Sequence, residues 1–163
     1  MLGNGEIMKV DKKKLAICIA IPVVVGAVAG LLTRNSMEIF KVLEKPPLAP
    51  PGWLFPVVWT ILYILMGISS YLIVDSKVSP DVSIDALKIY IYQLAVNFMW
   101  PIFFFIFEWY LFSFVWLILL WVLVFIMIRK FYEISKPAAY LNIPYLIWIT
   151  FAAYLNLGIW ILN

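Results

Sequence analysis

Residues 111–128 read LFSFVWLILLWVLVFIMI, an uninterrupted run of 18 residues without a charge. A helix rises about 1.5 Å per residue, so this run nearly crosses the hydrocarbon core of a bilayer, which is about 30 Å thick. Four more apolar runs lie along the chain, at about 15–33, 53–74, 84–107 and 139–162. The sequence therefore predicts an all-α integral membrane protein, built as a five-transmembrane-helix bundle.

The amino-acid composition also requires lipid around the protein. Apolar residues make up 66% of the 163 residues and charged residues 13%, against about 45–50% and about 25% in a soluble domain. A domain of this size buries only about 70% of its unfolded surface, so it cannot hide that many apolar side chains from water. Lipid-exposed backbone is stable only in helices and closed barrels, and a barrel would show short alternating strands rather than long apolar runs.

Lysine and arginine are unevenly shared between the two ends of the spans. With five spans, the polar segment 1–14 and the turns after the second and fourth spans lie on one side. That side carries Lys9, Lys12, Lys13, Lys14, Lys77, Lys88, Arg129, Lys130 and Lys136, and the other carries Arg34, Lys41 and Lys45. Because positive residues favour the cytoplasmic side, we expect a multi-pass protein of the cell membrane with a cytoplasmic N-terminus. The net charge of +3 is small, and the positive residues flank the apolar runs. They therefore indicate topology, and no nucleic-acid partner is predicted.

The first apolar run has two features of its own. Lysines, an apolar stretch and the small residues 27–29 would also suit a cleaved signal peptide, but the run continues past that point, which favours a spanning helix. Gly26 and Gly30 form a GxxxG pair, so we expect another backbone to approach this face, within the bundle or across a dimer. A leucine at Gly30 is therefore expected to weaken folding or dimerisation more than a leucine at Gly158.

Few residues are available for acid–base or metal chemistry. The sequence has no histidine, the commonest general acid–base and metal ligand, so no metal site is predicted and histidine-ligated haem is excluded. The one cysteine, Cys18, cannot form an internal disulfide and is expected to be a small packing residue. Apart from Asp85 and Lys88 at the start of the third, the spans contain no Asp, Glu, Lys or Arg, which argues against a proton-coupled or ion-coupled pump.

Loop 1, which we define as residues 34–52, is long and stiff. Its second half contains four prolines within residues 46–51, and proline fixes φ and favours an extended path. A long, stiff loop is commonly functional, often as a lid, although a rigid connector is the alternative.

Aromatic and amide side chains recur on one face of three spans. In the third span Gln93, Asn97 and Trp100 lie at i, i+4 and i+7, so they share a face. The fifth span has such a stripe in Tyr145, Trp148, Ala152, Leu155 and Asn156, and the second has one in Trp53, Thr60 and Gly67 beside Tyr63. One interpretation is purely structural: the amides hydrogen-bond between helices, and the tryptophans lie at the membrane–water interface. Aromatic walls with a few amides and no charge otherwise suit a flat, apolar ligand such as a porphyrin or sterol.

Several motifs follow one another in order. They are KPP at 45–47, PPxWxF at 50–55, VWTxLYxxMG at 58–67, QLxxNxxW at 93–100, FF at 103–104 and PYxxWxxFAxxLN at 144–156. Each motif alone is weak, but the ordered set, covering about 26–156, resembles the TspO/translocator-protein (TspO/MBR) family, also called the peripheral-type benzodiazepine receptor family.

The resemblance implies a membrane receptor or sensor whose five helices enclose a cavity that loop 1 closes on one side. The implied ligands are porphyrins (protoporphyrin, haem), isoquinoline and benzodiazepine-type drugs and, in some members, cholesterol, with no required cofactor and a homodimeric state. Carried over by motif position, the cavity residues would be Trp53, Gln93, Asn97, Trp100, Trp148, Ala152 and Leu155. Tyr63, Tyr145 and Asn156 complete the predicted ligand-binding set because they share or adjoin the same faces.

Two other functions remain open for the same cavity. Some bacterial members are reported to degrade protoporphyrin in light through tryptophans that match Trp53 and Trp148, so the first alternative is a light-dependent porphyrin-degrading enzyme. The second alternative is a tetrapyrrole transporter. The sequence departs from the animal proteins at Leu111, where those have a ligand-lining tryptophan. It also lacks the Lys or Arg that would complete a cholesterol motif after Tyr154. Without histidine, we expect metal-free protoporphyrin to bind about as well as haem, through stacking.

Overall fold

The computed structural model of the protein describes residues 10–163. The helices are α1 (Lys12–Thr33), α2 (Ile39–Val42), α3 (Leu54–Val74), α4 (Pro80–Pro101), α5 (Tyr110–Ile134), α6 (Lys136–Tyr140) and α7 (Ile143–Leu162). A 3₁₀ turn, Ser36–Glu38, precedes α2, and a π-helical segment, Ile102–Ile106, continues α4. Most of the predicted polar segment 1–14 lies outside the described residues.

Five helical segments in the described chain are long and apolar enough to cross a membrane, which confirms the predicted all-α, five-span fold. They are Lys12–Thr33, Leu54–Val74, Pro80–Ile106, Tyr110–Ile134 and Lys136–Leu162. The third begins four residues before the predicted Ile84 and the fourth ends six residues after the predicted Ile128. Both extensions are polar. They are still helical because a helix can continue into the membrane interface after its apolar run has ended.

The five spans form a closed ring in the order α1, α3, α6–α7, α5, α4. α1 packs against α3 and α4, α5 packs between α4 and α7, and α6 meets α3. Met66, Leu117 and Tyr145 lie at the centre of the ring with no exposed surface. Each span thus presents one stripe to this core and leaves the rest of its surface for lipid.

Glycines set the distance between α1 and α3. A Cβ atom placed on Gly67 would lie 2.4 Å from the Cα of Ile19, and one on Gly26 would lie 2.1 Å from the ring of Tyr63. A Cβ on Gly30 would meet nothing within 4 Å in the described part of the chain. The two helices therefore touch at Gly67 and Gly26 and separate towards Gly30.

This packing corrects the expectation for the GxxxG pair. Only Gly26 of the pair admits a close neighbour inside the bundle. Gly158 is also crowded, because its Cβ would lie 2.5 Å from the ring of Pro46. Within one molecule, the predicted greater sensitivity of Gly30 than of Gly158 is therefore wrong.

Loop 1 is fastened to α7. The side chain of Asn163 accepts a hydrogen bond from the backbone N–H of Glu44 (3.1 Å) and donates one to the carbonyl of the same residue (3.0 Å). The hydroxyl of Tyr154 donates to the carbonyl of Pro47 at 2.8 Å, and the buried ring of Pro46 lies over Gly158. These contacts hold the proline-rich half of the loop across one end of the bundle.

Removing the Asn163 side chain should release this part of the loop. Two hydrogen bonds of about 1 kcal/mol each support the Glu44 backbone, so we expect Asn163→Ala to increase hydrogen exchange at the Glu44 amide by about 30-fold. Asn35→Ala is the matched control, because Asn35 is also exposed in loop 1 and its side chain, among the described residues, bonds to its neighbour Arg34 and not to Glu44. Equal exchange at Glu44 in both variants would contradict the fastening.

Candidate ligand-binding site

The bundle contains a cavity between α1, α3 and α4 with a volume of about 290 Å³. We call it the inner cavity. Its aromatic walls are Phe55, Trp59, Tyr63, Trp100 and Phe105, and its α1 wall includes Gly26, Gly30 and Thr33. Asn97 contributes the amide, and none of the lining residues found in the described chain is charged. Such a site can stack flat rings and offer a hydrogen bond.

A buried chain of hydrogen bonds holds Tyr63 and Asn97 at the cavity wall. The hydroxyl of Tyr63 donates to Oδ1 of Asn97 at 2.7 Å, and Nδ2 of Asn97 donates to the hydroxyl of Tyr145 at 2.7 Å. The Tyr145 hydroxyl in turn donates to Oε1 of Gln93 at 2.9 Å. Gln93 and Tyr145 have no exposed surface, so they orient the wall residues from behind.

Trp100 is oriented by a second network. Its indole N–H donates to Oδ1 of Asn156 at 3.1 Å. The same oxygen accepts from the hydroxyl of Ser113 at 3.0 Å, and Nδ2 of Asn156 donates to the carbonyl of Tyr110 at 2.7 Å. Asn156 therefore fixes the plane of a cavity-lining ring without lining the cavity itself.

A second space, which we call the loop cavity, lies beneath loop 1 and has a volume of about 800 Å³. Trp53 lines it and is 67% exposed, and Lys45, Pro50 and Pro51 line it as well. Phe55 and Phe105 line both cavities. These two rings therefore form the partition between the inner cavity and the loop cavity.

The predicted site residues divide into three groups. Tyr63, Asn97 and Trp100 line the inner cavity, and Trp53 lines the loop cavity. Gln93, Tyr145 and Asn156 belong to the supporting networks. Trp148, Ala152 and Leu155 line neither cavity: the ring of Trp148 lies behind Phe55, with 5.9 Å between ring centroids, and the other two are buried in the core.

Comparison with known proteins identifies the family of this fold. The sequence model described as the TspO/MBR family matches residues 18–161. The chain belongs to the TspO/MBR family. Together with the five spans, membership makes it a multi-pass membrane protein.

Named relatives of this TspO/MBR chain come from bacteria and animals. It is 35% identical to "Tryptophan-rich protein TspO" of Chlorobaculum tepidum, across 91% of this chain and 95% of that protein. It is 38% identical to "Translocator protein" of Ovis aries, across 72% and 70%. It is 33% identical to "Tryptophan-rich sensory protein" of Cereibacter sphaeroides, across 80% and 79%.

Three aromatic residues at the cavity of this TspO/MBR chain were not among the predicted ones. They are Phe55, Trp59 and Phe105. Trp59 precedes Tyr63 by one helical turn and stacks on it, with 5.6 Å between ring centroids, so helical spacing could have identified it. Phe105 lies in the π-helical segment, where an extra residue per turn shifts every following side chain off the α-helical spacing.

Proposed function

We propose that this protein is a membrane receptor or sensor that binds porphyrins and related flat, apolar ligands, including isoquinoline and benzodiazepine-type drugs, inside the helix bundle. The observation that carries the proposal is the wall of the inner cavity, where five aromatic rings and one amide surround an uncharged space. The name of the Cereibacter sphaeroides relative, a sensory protein, supports a sensory role, for which we propose tetrapyrrole homeostasis or stress response. We further propose a homodimer in the cell membrane with a cytoplasmic N-terminus.

The pose of a porphyrin follows from the two cavities. The inner cavity alone is at the lower end of the 300–1,000 Å³ or so that small-molecule sites occupy. A whole porphyrin ring would therefore displace the partition rings, Phe55 and Phe105, and extend into the loop cavity. Its anionic propionates would then lie near Lys41 and Lys45, which line the loop cavity.

Haem iron would find no strong ligand in this pose. Within the described chain, the lining of the inner cavity contains no Cys or Met, and the sequence has no His. Among the described lining residues, Tyr63 is the one hydroxyl-bearing aromatic residue, and its hydroxyl already donates a hydrogen bond to Asn97. Binding should therefore depend on ring stacking, which metal-free and iron porphyrins share.

The proposal is tested by titrating the purified protein in lipid nanodiscs with protoporphyrin and with haem, in darkness. We expect quenching of tryptophan fluorescence, dissociation constants within about threefold of each other, and a haem spectrum without strong-field axial ligation. Failure of metal-free protoporphyrin to bind, or strong-field ligation of haem, would contradict the stacking mode.

Light distinguishes the receptor from a porphyrin-degrading enzyme. The enzyme alternative depends on Trp53 and Trp148, and Phe55 adjoins both, through the loop cavity and through ring contact. Illuminating the protoporphyrin complex and recording absorbance separates the two functions. If the protein is a receptor, porphyrin absorbance falls no faster than in protein-free nanodiscs. If it is an enzyme, porphyrin absorbance falls faster than in protein-free nanodiscs.

A further inference from the structure

The inner cavity lies where α1 and α3 separate. Near the other end of the pair, Gly67 contacts the backbone of Ile19, and one turn further along the ring of Tyr63 covers Gly26. Beyond Tyr63, no other part of residues 10–163 comes within 4 Å of the Cβ position of Gly30. The two helices thus form a wedge whose open end coincides with the cavity.

The residues at the open end of the wedge belong to both the cavity and the outer surface. Ala27 and Gly30 of α1, and Pro56 and Thr60 of α3, line the inner cavity. All four are exposed. Their outward neighbours are apolar residues facing lipid, including Leu31, which is 64% exposed, and Ile61, which is 53% exposed. The cavity therefore has a mouth on the side of the bundle, between α1 and α3.

The depth of this mouth corresponds to the hydrocarbon of the bilayer. Ala27 lies six residues before the end of α1 at Thr33, and Thr60 lies six residues after the start of α3 at Leu54. At about 1.5 Å per residue, both are about 9 Å inside the helix ends. Arg34 follows directly on α1 and is exposed, so a cation stands at the interface just above an apolar opening.

The route from water is more obstructed than this mouth. Loop 1 is fastened to α7 through Asn163 and Tyr154. Beneath it, Phe55 and Phe105 separate the loop cavity from the inner cavity. Phe55 is itself packed, with its ring centroid 5.4 Å from that of Phe40 and 5.9 Å from that of Trp148.

We infer that ligands enter the inner cavity sideways from the bilayer, through the mouth between α1 and α3. The ligands are then molecules that dissolve in the membrane first, with a flat apolar body at the depth of the mouth and any acidic groups at the interface near Arg34. The identity of the ligand rests on the proposed function, whereas the route rests on the packing of α1 against α3 and on the obstruction beneath loop 1.

The first test measures association of protoporphyrin that has been preloaded into the bilayer of nanodiscs, by stopped-flow tryptophan fluorescence. Gly30→Leu fills the mouth, and Gly52→Leu is the matched control because Gly52 lines the loop cavity and also has nothing within 4 Å of its Cβ position. We expect Gly30→Leu to slow association at least tenfold and Gly52→Leu to change it less than twofold. The opposite order would overturn the inference. Thr60→Phe, on the facing wall, repeats the test if Gly30→Leu does not fold.

The second test needs no porphyrin, so it separates failure of the route from failure of the proposed function. Replacing the single cysteine by Cys18→Ala and adding Ala29→Cys leaves one thiol, at a buried position that lines the inner cavity. Two thiosulfonates react with it, each forming a mixed disulfide and releasing a sulfinate: an apolar benzyl reagent and a charged sulfonatoethyl reagent. Each rate is divided by the rate of the same reagent with a free thiol.

We expect the benzyl reagent to label the cavity thiol at least tenfold faster than the sulfonatoethyl reagent. Gly30→Leu should slow labelling by the benzyl reagent at least fivefold, whereas Gly52→Leu should not slow it. Equal rates for the two reagents, or a benzyl rate unaffected by Gly30→Leu, would overturn the lateral route even if porphyrin binds.

Discussion

Gly67→Ala is expected to lower the melting temperature of the detergent-solubilised protein by about 6–12 °C. The new methyl group would lie 2.4 Å from the Cα of Ile19 and 2.8 Å from the carbonyl oxygen of Cys18. Both are backbone atoms, so no change of side-chain rotamer can relieve the clash and the two helices must separate. Overpacking costs up to about 3 kcal/mol, and each kcal/mol shifts the melting temperature of a protein of this size by about 2–4 °C.

Gly30→Ala is the matched control for this prediction. Gly30 is also a helical glycine of the α1–α3 pair, but its added methyl group meets nothing within 4 Å. Replacing glycine by alanine within a helix stabilises it by up to about 1 kcal/mol, so the melting temperature should stay the same or rise slightly. A larger loss at Gly30 than at Gly67 would contradict the packing and would indicate a second copy of the chain against this face.

The number of spans and their helical type could be predicted because each span must be apolar along most of its length. The ends of the helices could not be predicted in the same way. Arg129 and Lys130 end the apolar run of the fourth span, yet the helix continues to Ile134. Charge marks where lipid gives way to the interface, whereas the end of a helix depends on backbone hydrogen bonds that are equally good on both sides of that boundary.

The sequence pattern predicted which face of a helix points inward, but not whether that face lines a cavity or packs against another helix. Periodicity correctly placed Gln93, Asn97 and Trp100 on one inward face of α4, but it could not show that only the last two reach the cavity. The stripe on the fifth span also faces inward, yet Ala152 and Leu155 pack in the core instead of lining a cavity. A pattern within one helix carries no information on whether the neighbouring helix is in contact or has moved away.

Contacts between distant segments were beyond prediction from local patterns. The prolines of loop 1 indicated a stiff path, but the hydrogen bonds between Asn163 and Glu44 join residues 119 positions apart. The separation of α1 from α3 likewise depends on pairs such as Gly26 with Tyr63. Such pairs determine where the cavity opens, and neither member is distinctive in its own stretch of sequence.

Trp59→Ala is expected to weaken protoporphyrin binding about 10-fold to 100-fold. Trp59 is half-buried, lines the inner cavity and stacks on Tyr63. An aromatic contact contributes about 0.5–1.5 kcal/mol beyond its buried area, and burying such a side chain contributes about 1.5–3 kcal/mol. A loss of about 1.5–3 kcal/mol corresponds to that range of dissociation constants. Trp148→Ala should cost less, because its ring reaches the ligand only past Phe55.

Two control variants and a salt titration show whether stacking or charge dominates. Trp109→Ala removes a half-exposed tryptophan that lines neither the inner nor the loop cavity, so affinity should be unchanged. Lys45→Ala removes a cation that lines the loop cavity, and an exposed ion pair contributes at most about 1 kcal/mol, so affinity should fall less than about fivefold. Raising the ionic strength from 0.1 to 1 M shortens the Debye length from about 10 to about 3 Å and should weaken wild-type binding only slightly. If Lys45→Ala is more damaging than Trp59→Ala, or binding collapses in salt, the porphyrin lies on the charged surface of loop 1 and not between the rings of the inner cavity.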